Sequence, residues 1–383
     1  MKRTLYTDDH EAFREVVAEF VARYVKPELE RWDAQRSIDR EVWLAAGKHG
    51  LLGLSAPEQY GGAGGDYRFR NILHEEFAKV FASSLSSSFS LQDDITIPYI
   101  NEIGDEEQKQ RWIPSMVAGE RIGAIAMTEP GTGSDLQGIR TSAKPVEGGW
   151  ILNGAKTFIT SGINADLVIT VARTDPNGGP NAFSLLVVER DMAGFSRGRK
   201  LDKVGLHAQD TAELVFENVF VPDRNVLGAI GAGFGQLKNM LSLERLSIAA
   251  WAIALAEEIL ADTVRYTRNR KAFGQRIADF QNTQFELADM KTELDVARTY
   301  IDQAILSYND GDLTAVDAAG AKLWCSELQN RVIDRCLQLH GGYGFMLDYP
   351  VGRAYQDARI QRIFGGTNEI MRMIIGRKIV GRP

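Results

Sequence analysis

The sequence predicts three consecutive domains: an all-α N-terminal domain, a middle antiparallel β-barrel or β-sandwich domain, and a C-terminal four-helix bundle. Apolar residues recur at helical spacing up to about residue 119, and short β-branched runs separated by turns follow them. Long amphipathic segments then resume after a glycine-rich joint. We place the domains at residues 1–122, 123–230 and 231–383.

Length and composition are those of a globular protein with several domains. The chain has 383 residues, of which 44% are hydrophobic and 25% charged, and its net charge is −7. A negative net charge argues against a nucleic-acid-binding surface. The first dozen residues are acidic and lack the apolar core of a signal peptide, and no stretch approaches a membrane span. We therefore expect a cytoplasmic protein without membrane insertion.

Periodicity and turn residues define the first two domains. Phe13, Val17 and Phe20 share one face of a predicted helix, and the glycine-rich loop Pro57–Asp66 interrupts the helical pattern. After Gly123 the runs are short and β-branched, as in WILNGAKTFIT and AFSLLVVER. They lack strand–crossover–strand repeats, so a parallel dinucleotide-binding sheet is not predicted.

The C-terminal domain begins at the joint Leu227–Gln236. This joint contains a formal G-x-G-x-x-G pattern, but it follows a loop rather than a buried parallel strand, so a helix start is the better interpretation. Four amphipathic helical patterns follow and predict an antiparallel four-helix bundle. They are Phe234–Asn269, Gln284–Asn309, Thr314–Leu339 and Asp348–Ile379.

The cysteines and histidines do not predict a metal site. Cys325 and Cys336 fall on one predicted helix, roughly 16 Å apart along its axis, which is too far for a disulfide. The five histidines are scattered along the chain and give no zinc-binding spacing.

Glu244 is an acidic residue in an apolar helical pattern. Leu237, Ile248 and Trp251 surround it at helical spacing, which predicts a carboxylate on the apolar stripe. Such a carboxylate is costly to bury unless it is paired or functional. An ion pair with a cation from another helix is the usual explanation, and Arg245 cannot supply it because adjacent residues project about 100° apart around a helix.

Two segments of the β domain could bind a flat heteroaromatic ring. MTEPGTGSDLQG offers the hydroxyls of Thr128 and Ser134 together with backbone N–H groups. KTFITSG places Phe158 and Thr160 on the same side of a strand, an apolar face beside a hydroxyl. Each segment alone also fits an ordinary turn or a half-buried strand.

Two further segments are explained locally by secondary structure. RNRKAFGQ places Arg270 near Phe273 where a helix ends, and cations and a glycine are common at such an end. LHGGYGF is a glycine-rich loop, in which we expect His340 to be structural.

In their order and spacing, seven motifs together resemble the acyl-CoA dehydrogenase family, from about residue 8 to residue 380. The combination of ERL with GGT is most similar to the long-chain and isovaleryl-type branches. The resemblance implies an acyl-CoA dehydrogenase-like fold. The motifs are MTEPGTGSD, WILNGAKTFITSG, ERLSIAA, RKAFGQ, ADFQ, QLHGGYGF and IFGGTNEI.

The resemblance also implies FAD as the cofactor, bound between the β domain and the bundle with help from a neighbouring subunit. The residues that would line the flavin ring are Met127, Thr128, Phe158 and Thr160. Those that would contact phosphate, pyrophosphate or ribityl groups are Ser134, Thr367 and Asn368. Those that would act across the subunit interface are Arg270, Phe273, Gln281, Gln338, Gly341 and Gly342.

The implied reaction is α,β-dehydrogenation of an acyl-CoA thioester, in which a base removes the α-hydrogen. Gly365 stands where many relatives carry a glutamate, so Glu244 would be the base. The backbone N–H of Gly365 would polarise the thioester carbonyl.

The resemblance also suggests how the substrate binds. Ser134 and Arg245 would lie near the CoA moiety. Ser86, Ser87 and Ser90 replace bulkier side chains where relatives close the acyl pocket. We therefore expect a deep pocket for medium-length, long or methyl-branched chains, although serine-rich runs are also common in loops and helix caps.

The partners implied are an electron-transfer flavoprotein as acceptor and further copies of the chain in a homotetramer. An acyl-CoA oxidase or a monooxygenase on the same scaffold is the nearest alternative, since the fold does not decide between them. The second alternative is a non-catalytic binding protein with this fold. The acidic net charge argues against such a protein that binds nucleic acid.

Overall fold

The computed structural model describes residues 3–381, and its first part is helical. Asp66 begins one of these helices by accepting the N–H of Arg68, and Asp105 begins another with a capping box. π-helical turns at Val21–Val25 and Leu91–Thr96 follow the first and fifth helices. The helices are α1 Asp8–Phe20, α2 Leu29–Gln35, α3 Arg40–Lys48, α4 Tyr67–Lys79, α5 Ser83–Ser90, α6 Ile97–Ile103 and α7 Glu106–Val117.

A β domain follows and forms one sheet in the order β6-β7-β3-β2-β4-β5-β8, with β1 paired to β4. Neighbouring strands are antiparallel except where β4 runs parallel to β1 and, at one residue pair, to β2. Between β1 and β4 the chain makes the β2–β3 hairpin, which gives it the length to return in the same direction. The strands are β1 Gly123–Ala126, β2 Ser142–Val146, β3 Gly149–Thr160, β4 Leu167–Arg173, β5 Phe183–Glu189, β6 Phe195–Lys200, β7 Thr211–Pro222 and β8 Val226–Leu227.

The C-terminal part is a helical domain built around the long helix α8. Its helices are α8 Gly233–Asn269, α9 Gln281–Asn309, α10 Ala315–His340, α11 Pro350–Ala358 and α12 Asn368–Ile379, with a short hairpin of β9 Lys271–Ala272 and β10 Gln275–Arg276 after α8. The prediction of one continuous helix over Asp348–Ile379 is wrong. The chain leaves the helix after Ala358, and Gly365 and Gly366 adopt φ values of 63° and 87°, which a right-handed helix excludes.

The three-domain architecture predicted from the sequence is confirmed. Cys325 and Cys336 are buried, free thiols on α10. Within residues 3–381 we find no helix of the length and hydropathy needed to cross a bilayer. The same residues contain no group of three or more His, Cys, Asp or Glu side chains arranged to hold a metal ion.

Candidate functional site

Glu244 lies in the first third of α8 and is only 4% exposed. The Tyr99 hydroxyl on α6 donates a hydrogen bond to its Oε1 at 3.1 Å. The partner is therefore a neutral hydroxyl and not the cation of an ordinary buried ion pair. Burial raises the pKa of Glu244 to about 7, against the opposing effects of the Tyr99 hydrogen bond and the Arg245 charge. A carboxyl group with this pKa can accept or release a proton near neutral pH.

The loop between α11 and α12 lies against the same face of α8. A Cβ atom at Gly365 would lie 2.4 Å from Cδ1 of Ile248, which is one helical turn after Glu244. The ring of Phe364 lies 6.3 Å from that of Trp251, one turn further along. The Gly365 loop therefore packs against the face of α8 that carries Glu244, and the φ of 63° at Gly365 disfavours any residue with a side chain there. The N–H of Gly365 donates to no group among residues 3–381.

Lys322 of α10 holds this loop in place. Its Nζ donates to the Gly366 carbonyl and to Oδ1 of Asn368, both at 2.8 Å. The Asn368 amide also donates to Ser326 and Glu327, so its side chain is fully engaged within the protein. Burial lowers the pKa of Lys322 to about 7. Any contact of Asn368 with a cofactor would therefore use its backbone.

We expect Lys322→Met to destabilise the fold by about 2–3 kcal/mol, because the half-buried Gly366 carbonyl loses a hydrogen bond and the buried Oδ1 of Asn368 loses one of its two donors. Urea denaturation followed by circular dichroism measures this change. Lys378→Met, at an exposed position on α12, is the matched control and should change stability by less than about 0.5 kcal/mol. Equal stabilities for the two variants would contradict the role given to Lys322.

The end of β1 and the end of β3 meet to form the predicted flavin-ring surface. The Thr157 N–H donates to the Thr128 carbonyl at 2.9 Å, and Lys156 Nζ donates to the carbonyl of Met127 at 2.9 Å. Lys156 also pairs at 2.9 Å with Glu129, a carboxylate 7% exposed. This buried ion pair, which sequence reasoning missed, fixes the two strands to each other.

Phe158 lies at the open side of this surface and is 68% exposed. Its φ is +60°, at a bulge in the pairing of β3 with β7 that turns the ring outwards. Thr160 and Met127 are half-buried nearby on the same strand ends, and Ser134 is exposed on the loop after β1. An exposed aromatic side chain beside hydroxyl groups fits the face of a flat ring, so these residues are suited to a flavin.

The residues predicted to act across a subunit interface gather at the other end of the bundle. Arg270 packs over the Tyr343 ring at 5.4 Å, and the Phe273 ring, 95% exposed, lies 6.3 Å from that of Phe280. Gln281, Gln338, Gly341 and Gly342 are exposed at the same end. Arg270 follows Glu244 by 26 residues of one helix, about 39 Å. The two groups therefore cannot act on one another within one chain.

Of the serines predicted to bound the acyl group, Ser90 contacts the helix that carries Glu244, and Ser86 and Ser87 bond to other partners. Ser90 Oγ lies 2.6 Å from Ser247 Oγ, three residues after Glu244 on α8. Ser86 bonds to His74 at 2.9 Å, and Ser87 accepts from Gln209 at 2.7 Å. Arg245 is 5% exposed, and its Nε has no partner among residues 3–381.

Sequence reasoning missed Tyr99, Lys322 and a buried ion pair between Arg70 and Asp94. Tyr99 and Lys322 follow no recognisable motif. The adjacent carboxylates Asp93 and Asp94, within an otherwise apolar and hydroxylated helical stretch, were the one visible signal.

Comparison with known proteins extends the similarity to the whole chain. Family models match at residues 7–120 (acyl-CoA dehydrogenase, N-terminal domain), 124–219 (middle domain) and 231–380 (C-terminal domain). The mitochondrial long-chain specific acyl-CoA dehydrogenase of Sus scrofa is 47% identical, covering 99% of this chain and 88% of that protein. The mitochondrial isovaleryl-CoA dehydrogenase of Solanum tuberosum is 37% identical, covering 98% and 91%. A crystal structure of acyl-CoA dehydrogenase from Geobacillus kaustophilus is 44% identical with a TM-score of 0.95, covering 98% of each chain.

Proposed function

The chain belongs to the acyl-CoA dehydrogenase family of FAD-dependent enzymes, and from this premise we propose that it converts a saturated acyl-CoA into the trans-2-enoyl-CoA with Glu244 as the base. The observation that carries the assignment is the position of Glu244. It is a buried carboxylate without a cationic partner at 4 Å or less among residues 3–381, and Ile248, one turn further along α8, contacts Gly365. We propose medium-length, long or methyl-branched acyl chains as substrates.

Glu244 would remove the α-hydrogen of the thioester as a proton. Its pKa of about 7 leaves a substantial fraction ionised at neutral pH, and burial makes the ionised form a stronger base than an exposed carboxylate. When bound, FAD supplies the acceptor for the β-hydrogen, which leaves as hydride. Tyr99, by donating to the carboxylate, fixes the orientation of the base.

The N–H of Gly365 would stabilise negative charge on the thioester carbonyl oxygen. This donor has no partner among residues 3–381, and Lys322 fixes the loop that carries it. A preorganised backbone donor stabilises the enolate-like charge that forms as the α-proton leaves. Arg245, buried and next to Glu244, is our candidate for a contact with the CoA moiety.

The distance along α8 supports an assembly of several chains. Arg270 lies about 39 Å from Glu244, so it would contact the cofactor of a neighbouring subunit, with a guanidinium suited to a diphosphate. We propose a homotetramer, an electron-transfer flavoprotein as acceptor and a cytoplasmic location. Assembly into a homotetramer would cover the exposed side chain of Phe273.

The test is anaerobic bleaching of the flavin near 450 nm by a panel of saturated acyl-CoAs. We expect bleaching with at least one member of the panel, and the best substrate defines the acyl class. Rapid oxygen consumption in air would favour the oxidase alternative over transfer to a flavoprotein. Retention of FAD without bleaching by any acyl-CoA would overturn the proposed function.

The pH dependence of flavin reduction should follow Glu244. Because the base must be ionised, we expect kcat/KM to rise about tenfold per pH unit below 7 and to level off above it. Tyr99→Phe should move the midpoint to higher pH, since the lost hydrogen bond stabilises the carboxylate. Stopped-flow reduction between pH 5.5 and pH 9 measures both profiles, and a midpoint that Tyr99→Phe leaves unmoved would contradict the assignment.

A further inference from the structure

A cavity with several polar and charged side chains in its wall lies between the N-terminal helical domain and α8. Its volume is about 240 Å³, far more than a single water needs, and its walls include Tyr67 and Arg70 of α4, Asp93 and Asp94 of the π-helical turn, and Leu243 of α8. We call this cavity the polar chamber. Leu243 precedes Glu244 in α8, and Asp94 of the chamber wall lies close enough to Glu244 for its charge to raise the pKa of that carboxyl.

Arg70, in the wall of this chamber, has unused hydrogen-bond donors. It is 3% exposed, and its Nε donates to both carboxylate oxygens of Asp94, at 3.1 and 3.2 Å. Its Nη1 and Nη2 have no partner within residues 3–381, and the buried hydroxyl of Tyr67 lies near Ser247 but makes no hydrogen bond of good geometry there. Buried donors without partners are costly, which indicates that an oxygen atom belongs in the chamber.

The charges around the chamber favour a neutral ligand. Arg70 shares the chamber wall with three carboxylates, Asp66, Asp93 and Asp94, and Asp93 accepts the Gly53 N–H at 3.0 Å. Burial lowers the pKa of the neighbouring His74 well below its usual range, so this side chain adds no positive charge. An anionic ligand would meet these three carboxylates, whereas a neutral hydroxyl or carbonyl oxygen can accept from the Arg70 Nη groups.

Hydrogen bonds connect the chamber to the expected acyl pocket. Asp94 Oδ2 accepts from Ser90 Oγ at 2.5 Å and from Ser247 Oγ at 2.6 Å. Ser247 lies on α8 three residues after Glu244, and Ser90 ends α5. An acyl group that starts at Glu244 and runs between α5 and α8 therefore meets a hydrogen-bonded polar wall instead of an apolar one.

We propose that the enzyme acts on acyl-CoA thioesters that carry a neutral oxygen-bearing group, a hydroxyl or a ketone, on the distal part of the acyl chain. Arg70 binds this oxygen through its Nη groups, and the Tyr67 hydroxyl adds a second hydrogen bond. The inference rests on the proposed dehydrogenase function and specifies the substrate class of the same site.

The experiment compares anaerobic flavin reduction by acyl-CoAs of equal chain length that are unsubstituted, terminally hydroxylated, ketone-bearing or terminally carboxylated. In the holoenzyme, the hydroxylated or ketone-bearing substrate should reduce the flavin with a kcat/KM equal to or above that of the unsubstituted substrate. Arg70→Lys, which keeps the charge beside Asp94, should lower the oxygenated-to-unsubstituted ratio at least about tenfold, the value of one hydrogen bond to a charged group. Tyr67→Phe removes only a hydroxyl and should lower the ratio in the same direction.

Arg298→Lys is the matched control, because Arg298 is a buried arginine paired with Glu257 that lines no wall of the chamber. It should leave the ratio unchanged. If Arg70→Lys does not fold, the change in this ratio in Tyr67→Phe alone tests the inference. Equal losses on all substrates, or a preference for the carboxylated chain, would overturn the inference. Bleaching by unsubstituted chains alone would overturn the inference about the substrate class and leave the proposed dehydrogenase function intact. The absence of bleaching by any acyl-CoA would overturn both the inference and the proposed function.

Discussion

Glu244→Gln should lower kcat/KM for flavin reduction by about 10²–10⁴, the usual contribution of a general base. Glutamine keeps the shape of the side chain and its acceptor for Tyr99, but it cannot take the α-proton. Anaerobic stopped-flow absorbance near 450 nm measures the loss with FAD still bound.

Glu258→Gln is the control for this prediction, since it makes the same change on the same helix at a half-buried position further along. It should retain the activity of the unmodified protein. If Glu244→Gln bleaches as fast as the unmodified protein, another carboxylate is the base.

The same substitution should stabilise the fold at alkaline pH. Burial raises the pKa of Glu244 from 4.5 to about 7, so the folded protein binds this proton more tightly than the unfolded chain. Stability from this group is therefore present below pH 4.5 and is lost as the pH rises through about 7. Glutamine has no such loss, and at pH 8 the variant should be more stable by up to about 3 kcal/mol in urea denaturation. Equal stability of the two proteins at pH 8 would argue against an elevated pKa.

Asp94→Ala should destabilise the protein by about 3–5 kcal/mol, the usual result of leaving one member of a buried ion pair without its partner. Arg70 and Asp94 are both more than nine-tenths buried. The substitution also deprives the Ser90 and Ser247 hydroxyls of their acceptor. Urea denaturation of the FAD-bound protein measures the change.

Asp295→Ala provides the comparison, because Asp295 pairs with Lys291 at an exposed i,i+4 position of α9. Exposed pairs of this kind contribute about 0.3–0.5 kcal/mol. Asp94→Asn, which keeps acceptor capacity for the serines, should fall between the two alanine variants. A loss below about 1 kcal/mol for Asp94→Ala would show that Arg70 finds another partner or solvent.

Local sequence patterns were sufficient to predict the order of the domains. Helical periodicity, β-branched runs and glycine-rich joints specify secondary structure through contacts within a few residues, so the order of the helical and β domains follows from them. The fourth bundle helix was predicted wrongly because its apolar periodicity continues across Gly365 and Gly366. Periodicity records which residues face a core and does not show that the chain turns out of the helix between them.

By itself the sequence determined the family, the domain order and the candidacy of Glu244, because each rests on residue types at fixed spacing. Only the tertiary structure decided that Glu244 has Tyr99 as its partner, that Ile248 packs against Gly365, and that Lys322 holds the loop. The same is true of Arg70 and Asp94, which lie on different helices and look like ordinary surface charges in the sequence. A buried hydrogen bond joins residues that are distant along the chain, and its energy depends on distance and burial that only the packed fold provides.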